Sequence, residues 1–412
     1  MNEDLELELS GKWRNLSFLA LAALLAMTLW FSASAIIDQL EQELALSDTQ
    51  KSWMTISVQI GFVCGALLSA WFNLADRISS RILFSISALC GAACNAAITY
   101  IEPDLSMTFL LRFLTGFFLA GVYPPGMKLM TTWCKKDRGL GIGILVGALT
   151  VGSAAPHLLK TLPLLGESGI PDWRIVLRTT SVLAVIAGCV TFWFVREGPF
   201  LSKGAKFDWR MATSALRYRP TRLANFGYFG HMWELYAMWT WVPTLLKESY
   251  VTANWSATAA GIAGFFAIAI GGVSCVLAGK MADRLGRTTV TIASLVVSGS
   301  CALCAGFLID SPLLLTILCL IWGFAVVADS AQFSAAISEL ADAKYVGTAL
   351  SIQTCLGFLL TLITIQLMLP LREEYGWKFA LAFLAVGPLF GIWSMWRLRK
   401  LPEAEKMAMG NC

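Results

Sequence analysis

Twelve apolar stretches, each long enough to cross a lipid bilayer, constrain the fold of this 412-residue chain more than any other feature. A helix needs roughly 20 mostly apolar residues to span the hydrocarbon layer. Each stretch must be helical, because lipid offers no hydrogen-bond partner to an unpaired backbone group. We number the predicted spans 1 to 12, and they cover 15–37, 52–73, 82–101, 105–130, 139–161, 174–195, 221–246, 256–279, 289–308, 312–334, 346–369 and 377–397.

The charged residues agree with this interpretation and predict an orientation. Only 14% of the residues are charged, against about 25% in a typical soluble domain. With the N-terminus in the cytoplasm, 23 of the 31 Lys and Arg residues fall on the cytoplasmic side, as the positive-inside rule requires. We therefore predict an all-α membrane protein with both termini in the cytoplasm. Residues 1–10 are acidic and unlike a cleaved signal peptide, so we expect the first span to be retained.

The spans are related by an internal duplication. One offset recurring at three separated places indicates a duplicated six-helix unit, an arrangement typical of membrane transporters. We predict an N-terminal bundle over 1–195, a cytoplasmic linker over 196–220 and a C-terminal bundle over 221–412. The recurring pairs are Asp76 with Asp283 and Gly116 with Gly323, each 207 residues apart, and Gly139 with Gly347, 208 residues apart.

Short acidic-basic loops follow spans 2 and 8. The second loop, at 279–287, reads GKMADRLGR. It resembles the loop signature of the major facilitator superfamily, Gly-x-x-x-Asp-Arg/Lys-x-Gly-x-Arg/Lys. The first loop, at 75–81, reads ADRISSR and has Phe72 and Ser79 where the signature has glycines. The first loop therefore keeps the charges of the signature but not its glycines.

The resemblance extends to span 4, where Arg112, Gly116 and Gly121 are similar to the superfamily's helix-4 motif. It implies the major facilitator fold, with twelve transmembrane helices in two six-helix bundles, and a transporter rather than an enzyme. The loops would then form a conformational latch, in which carboxylates face helix N-termini and arginines pair across the bundles. The alternative is that these charges only mark cytoplasmic loops. The predicted latch residues are Asp76, Arg77, Arg81, Gly279, Asp283, Arg284, Gly286 and Arg287.

Two further segments, 230–239 and 328–333, resemble the nitrate/nitrite and cyanate permease-like bacterial branch of the superfamily. Spans 2 and 8 lack the interior arginines that true nitrate porters use to bind the anion. Span 5 carries Pro156 late and lacks the Gly-Pro pair of drug–proton antiporters. The sequence thus argues against nitrate and favours uptake over export.

Ionisable side chains inside the spans are costly in a membrane and are the first candidates for function. Glu234 lies near the middle of span 7, with His231 one turn earlier on the same face. A buried carboxyl group can take up and release a proton, as proton-coupled transport requires. Asp329, in span 10, is the third proton-coupling candidate. The alternatives are a hydrogen-bonded packing role for Glu234 and a contact near the cytoplasmic gate for Asp329.

Substrate contacts are expected from polar and aromatic side chains within the spans. Arg112 is the basic residue placed well inside a span, so it could bind a solute carboxylate or pair with an acid. Trp239 could line the same cavity, whereas His157 is interpreted as a packing residue. The remaining candidates are Trp30, Tyr123, Tyr228, Tyr236, Gln332 and Gln353.

These observations predict a secondary active transporter that moves a small polar or organic solute across the inner (plasma) membrane by alternating access, with proton-coupled uptake. A proton-independent uniporter and a solute or drug exporter remain alternatives. The eleven cysteines lack the spacing of a metal site or a disulfide scaffold, and we expect no metal or cofactor. The expected partners are the solute, protons and the bilayer, without nucleic acid, and the protein is expected to work as a monomer.

Overall fold

The computed structural model describes residues 11–72, 74–101, 104–134, 137–162, 171–200, 214–342 and 346–411, and within these ranges the chain is helical with no strand. Residues 201–213 of the predicted linker lie outside the described part. The helices are α1 (Lys12–Met27), α2 (Ser32–Ala35), α3 (Ile37–Leu44), α4 (Asp48–Trp71), α5 (Leu74–Arg77), α6 (Ser80–Ala97), α7 (Leu105–Leu119), α8 (Tyr123–Trp133), α9 (Arg138–Leu159), α10 (Trp173–Phe194), α11 (Ser214–Arg217), α12 (Arg219–Thr252), α13 (Ala257–Leu285), α14 (Arg287–Ala305), α15 (Pro312–Ala328), α16 (Ser330–Leu340), α17 (Val346–Leu384) and α18 (Val386–Arg399), followed by a 3-10 segment at Pro402–Gly410.

Nine helical segments among the described residues are long and apolar enough to cross a membrane. Eight of them fall on predicted spans 2 to 6 and 8 to 10, and the ninth, Val346–Arg399, contains spans 11 and 12. The chain is therefore a multi-pass membrane protein. Span 1 falls on the interrupted helices α1 to α3 and span 7 on α12. Twelve crossings and cytoplasmic termini stay predictions.

Three spans that the apolar pattern predicted as continuous helices are interrupted in the structure. Span 1 is broken between Met27 and Ser32, and span 4 between Leu119 and Tyr123. In span 4 the reason is visible in the sequence, because the prolines at the start of α8 have no N–H to continue a helical ladder. Span 10 is broken at Asp329, the residue between α15 and α16.

Helix α17 contains one non-helical residue, Gly376, with φ of 75°. Glycine adopts this left-handed conformation at little cost, so it separates predicted spans 11 and 12. Other helix starts are capped in the ordinary way. Ser47 and Gln50 form a reciprocal capping box at α4, and Asp104 accepts hydrogen bonds from the first backbone N–H groups of α7.

Equivalent glycines make equivalent close contacts in the two halves of the chain. A Cβ added to Gly116 would lie 1.9 Å from the carbonyl oxygen of Val58, so α7 packs backbone-to-backbone on α4. A Cβ added to Gly323 would lie 1.6 Å from the carbonyl oxygen of Ala267, which places α15 on α13 in the same way. Small residues permit such close approach between membrane helices. The matching contacts support the proposed duplication.

The two halves meet along a seam between α9 and α13. A Cβ added to Gly143 would lie 2.5 Å from the carbonyl oxygen of Cys275, and one added to Gly147 would lie 2.6 Å from the carbonyl oxygen of Gly272. Near one end of the bundle, Lys247 on α12 pairs with Asp38 on α3 at 2.9 Å. The largest cluster of buried apolar side chains runs through both halves, from Leu16 to Met407. The core is therefore shared, and a small cavity lies within it.

Candidate functional site in the central cavity

A small cavity of about 30 Å³ lies between the two halves. Helices α8 and α9 contribute one wall, and α12, α15, α16 and α17 contribute the other. This volume corresponds to about one water molecule in the liquid, so the side chains close tightly around the space. The lining residues are Tyr123, Val146, Leu149, Thr150, Tyr228, Met232, Leu235, Tyr236, Trp239, Val327, Ser330 and Phe358.

Aromatic rings form most of the cavity wall around Tyr236. The centroid of its ring lies 5.8 Å from that of Trp30, 5.3 Å from that of Trp239 and 5.0 Å from that of Phe358. These separations are typical of favourable aromatic packing. The structure thus places the predicted substrate candidates Tyr123, Tyr228 and Tyr236 on the cavity wall, with Trp30 packed against Tyr236.

Glu234 lies outside the cavity lining, between α12, α14 and α15. Its side chain is completely buried. The Ser298 hydroxyl donates a hydrogen bond to Oε2 at 2.9 Å, and the Trp322 indole N–H donates to Oε1 at 2.7 Å. Both donors are neutral, and no basic side chain in the described part of the chain forms an ion pair with this carboxyl group. Nothing in the local sequence indicated either donor, since both come from other helices.

His231 and Asp329 form a second buried pair. The His231 Nδ1 atom lies 2.8 Å from Asp329 Oδ1, and both side chains are 1% exposed. The ring of His231 packs against Tyr228 and Phe333, with centroids 6.0 and 5.5 Å away. Since Tyr228 lines the cavity, the pair lies directly behind the cavity wall. His231 and Glu234, predicted to share one helix face, thus have separate partners.

Arg112 is completely buried, and its donors contact protein groups around the break in span 1. Its guanidinium donates to the carbonyl oxygens of Leu29 at 3.1 Å and Trp30 at 2.5 Å. It also donates to the Ser32 hydroxyl at 3.0 Å and to Asn95 Oδ1 at 3.1 Å. A helix end in lipid needs partners for such carbonyls. These contacts support a positioning role at the break, while substrate contact stays a prediction.

The second predicted latch loop contacts the N-terminal half. A Cβ added to Gly139, in the first turn of α9, would lie 2.7 Å from Asp283 Oδ1. The carboxylate of Asp283 therefore faces a positive helix N-terminus. The buried Arg287 guanidinium contacts Asp283 at 2.8 Å, Glu339 at 3.0 Å and the Gln332 Oε1 atom at 2.8 Å. Gln332, a predicted substrate contact, thus lies in this network.

The remaining predicted latch residues differ in their contacts and their exposure. Gly279 packs on the backbone of α9, since an added Cβ would lie 2.5 Å from the Gly139 carbonyl oxygen. Gly286 has φ of 92°, which favours glycine at the junction of α13 and α14. Arg284 and Arg77 are exposed. The guanidinium carbon of Arg81 lies 5.7 Å from the centroid of the Phe192 ring. The side chain of Asp76 lies outside the described part.

Several functional candidates could not be found from the sequence. Glu339 joins the Arg287 network and also accepts a hydrogen bond from the backbone N–H of Ala408 at 3.0 Å. Gln59 accepts a hydrogen bond from Thr361 at 3.0 Å, joining α4 to α17 across the two halves. Both contacts are set by helix packing, which no local pattern encodes.

Among the predicted residues, two buried side chains have two polar atoms each without a hydrogen-bond partner in the part of the chain that the structure describes. They are Gln353, at both its amide oxygen and its amide nitrogen, and His157, at both ring nitrogens. Their roles in substrate contact and in packing, respectively, stay predictions. Within the described ranges, no group of three or more His, Cys, Asp or Glu side chains is placed to hold a metal ion.

The fold agrees with comparisons against known proteins. The family model of the Major Facilitator Superfamily matches residues 19–365. The chain belongs to the major facilitator superfamily. The structure of the proton:xylose symporter XylE superimposes with a TM-score of 0.77 at 14% identity, covering 94% of this chain and 96% of that one. The predicted all-α major facilitator fold is thereby confirmed, while the twelve-helix count stays a prediction. The superfamily consists of solute transporters rather than enzymes, as predicted.

Curated relatives are similar over part of the chain. The 4-hydroxybenzoate transporter PcaK of Acinetobacter baylyi is 26% identical over 65% of this chain and 64% of its own length. NarK1 of Thermus thermophilus, described as a probable nitrate/nitrite antiporter, is 29% identical over 46% of this chain and 44% of its own length. Two further relatives are matched over 35% and 53% of their length. The resemblance to the nitrate/nitrite branch is thus supported.

Proposed function

We propose that this protein is a proton-coupled secondary transporter that takes up a small polar or organic solute across the inner membrane by alternating access. The observation that carries the proposal is the environment of Glu234, a completely buried carboxyl group with two neutral hydrogen-bond donors. The name of PcaK, a 4-hydroxybenzoate transporter, supports a small organic solute. We also propose that the protein works as a monomer.

Burying the ionised form of Glu234 has a high free-energy cost. An ionised carboxylate that leaves water without a counter-ion costs several kcal/mol, and two neutral hydrogen bonds offset only part of that cost. Glu234 would therefore bind a proton when the bundle closes around it and release the proton when water reaches it. This cycle links proton movement to the same conformational change that carries the solute.

The cavity supports the same proposal by its position. It lies between the two halves, with walls from both, so rocking of one half against the other would expose it to each side in turn. The Asp283 and Arg287 contacts join the halves at one end of the seam, and the Lys247–Asp38 pair joins them near the other. Breaking one set and keeping the other would open a single side.

External pH in weakly buffered cells expressing the protein tests this function, with pulses of candidate solutes. We expect a solute to alkalinise the medium with the native protein and Glu234→Gln to abolish that signal while retaining solute exchange. Glu374→Gln, at an exposed glutamate on α17, is the matched control and should behave like the native protein. Solute accumulation without any pH change in the native protein and in Glu234→Gln would contradict proton coupling and leave a uniporter.

A further inference from the structure

A second and larger cavity, which we call the seam groove, lies between α9 and α13. Its volume is about 400 Å³, which is within the range of about 300–1,000 Å³ for ligand sites. One wall comes from each half of the chain, and both walls are apolar. The lining residues are Ile144, Gly147, Ala148 and Val151 on α9, and Gly272, Val273, Val276 and Leu277 on α13.

The seam groove opens away from the central cavity. Val146, Leu149 and Thr150 of α9 line the central cavity, and helical spacing puts them on the face opposite to the groove residues of the same helix. On the other wall, Val273 and Leu277 are exposed. Both helices are long and apolar enough to cross a membrane, so the groove faces the acyl chains of the bilayer.

The exposed face of α13 that borders the seam groove continues into two basic side chains. Val273, Leu277, Lys280 and Arg284 follow one another at intervals of four, three and four residues, which places them on one face of the helix. All four are exposed. At 1.5 Å per residue this stripe is about 16 Å long, close to the thickness of about 15 Å of one leaflet's hydrocarbon layer. It therefore matches one lipid in length.

The two basic side chains are free to bind an anion. Neither Lys280 nor Arg284 forms an ion pair or a hydrogen bond with the described residues. Asp283, their neighbour in the chain, already contacts Arg287 at 2.8 Å. Basic clusters beside membrane helices attract anionic lipid headgroups. A zwitterionic headgroup brings a positive charge of its own, so a headgroup with net negative charge fits this end of the groove better.

We propose that the seam groove binds an acyl chain of an anionic phospholipid whose phosphate contacts Lys280 and Arg284. The chain would contact both halves, at the place where Gly147 packs on the backbone of Gly272. A lipid bound to both walls favours the arrangement in which α9 and α13 lie together. This site is separate from the solute cavity, and the proposal is independent of proton coupling.

Native mass spectrometry of the purified protein tests the site, with equal amounts of phosphatidylglycerol and phosphatidylcholine added to the detergent. We expect the protein to retain one phosphatidylglycerol in preference to phosphatidylcholine. Each basic side chain near an anionic lipid contributes about fivefold in affinity, so Lys280→Gln/Arg284→Gln should weaken phosphatidylglycerol binding about 25-fold. Arg397→Gln/Arg399→Gln, at exposed positions at the end of α18, is the matched control and should bind like the native protein.

A variant of the apolar wall tests where the acyl chain lies. Ala148→Phe fills the seam groove and keeps both basic side chains, and we expect it to abolish the retained phosphatidylglycerol. The melting temperature shows whether it folds. The exposed Lys280 and Arg284 variants decide the proposal if it does not.

Three outcomes would overturn the proposal. The first is equal retention of the two lipids by the native protein, and the second is unchanged phosphatidylglycerol binding in Lys280→Gln/Arg284→Gln or in folded Ala148→Phe. The third is a dimer mass that disappears in Ala148→Phe, which would assign the seam groove to a second copy of the chain.

Discussion

Away from the latch loop, where Arg287 is buried, the described residues of the two halves bury charged side chains of opposite sign. In the N-terminal half, Arg112 distributes its donors over backbone carbonyls, the Ser32 hydroxyl and Asn95. In the C-terminal half, Glu234 has two neutral donors, and Asp329, the other buried carboxyl group among the described residues, is paired with a histidine. Arg112 donates to the break in span 1, and Asp329 lies at the break in span 10, so both halves contain a helix break.

This contrast indicates which half of the chain can change its charge. A guanidinium keeps its charge under all physiological conditions, so the Arg112 contacts make a permanent support for the bent backbone. Carboxyl groups and histidine gain and lose protons, and their neutral surroundings make that exchange depend on access to water. The N-terminal half is therefore expected to act as a scaffold, and the C-terminal half to carry the proton chemistry.

Replacing Arg112 should give the largest effect. Arg112→Met leaves the carbonyls of the helix break and Asn95 without their partner, and breaking a buried charged network costs about 3–5 kcal/mol. The melting temperature and the yield of monodisperse protein should both fall sharply. The exposed Arg178 on α10, whose Nε donates to Thr99 at 3.0 Å, provides the control, and Arg178→Met should melt close to the native protein.

If Arg112→Met folded with a native melting temperature but no longer bound solute, the supporting role assigned to Arg112 would be wrong. Arg112 would then be a substrate ligand, as the sequence predicted, and both halves would carry functional charges.

Replacing Gly116 or Gly323 by alanine should lower stability less than replacing Arg112, and by the same amount in each half. Alanine at Gly116 or at Gly323 forces a Cβ into a backbone carbonyl, and overpacking of this kind costs typically about 1–3 kcal/mol. We expect matching losses in melting temperature for Gly116→Ala and Gly323→Ala. Gly347→Ala is the control because its Cβ would have no neighbour within 4 Å, and it should be neutral or slightly stabilising. A loss confined to one half would show that the packing is not equivalent.

Removing one donor from Glu234 should give the smallest effect. Ser298→Ala deletes the hydroxyl that donates to Oε2, and a hydrogen bond to this group contributes about 1 kcal/mol to stability. Ser300→Ala, two residues later on the exposed face of α14, removes only a bond to its own helix and should leave the melting temperature unchanged. If Ser298→Ala and Ser300→Ala had the same melting temperature, the hydrogen bond from Ser298 to Glu234 would not contribute to stability.

The sequence predicted the membrane-spanning helices and the superfamily because both depend on local patterns. The length of each apolar stretch identifies a span, and the GKMADRLGR loop identifies the superfamily from the sequence alone. The same pattern could not show the break at residues 28–31, since the apolar stretch continues through it. Gln332 was predicted to contact solute from its place in span 10, yet its Oε1 accepts from Arg287. Which helix lies against α16 is decided by packing, so Glu339 was missed for the same reason.

The support that Arg112 gives to the first span has a consequence for the order of assembly. Arg112 is synthesised about 80 residues after the segment whose carbonyls it holds. Until then, in lipid, the Trp30 carbonyl would lack this donor. We therefore expect the first span to reach its bent form only after α7 has entered the membrane beside it. A ribosome that stalls before Arg112 would leave an N-terminal helix that is straight, or still in contact with water.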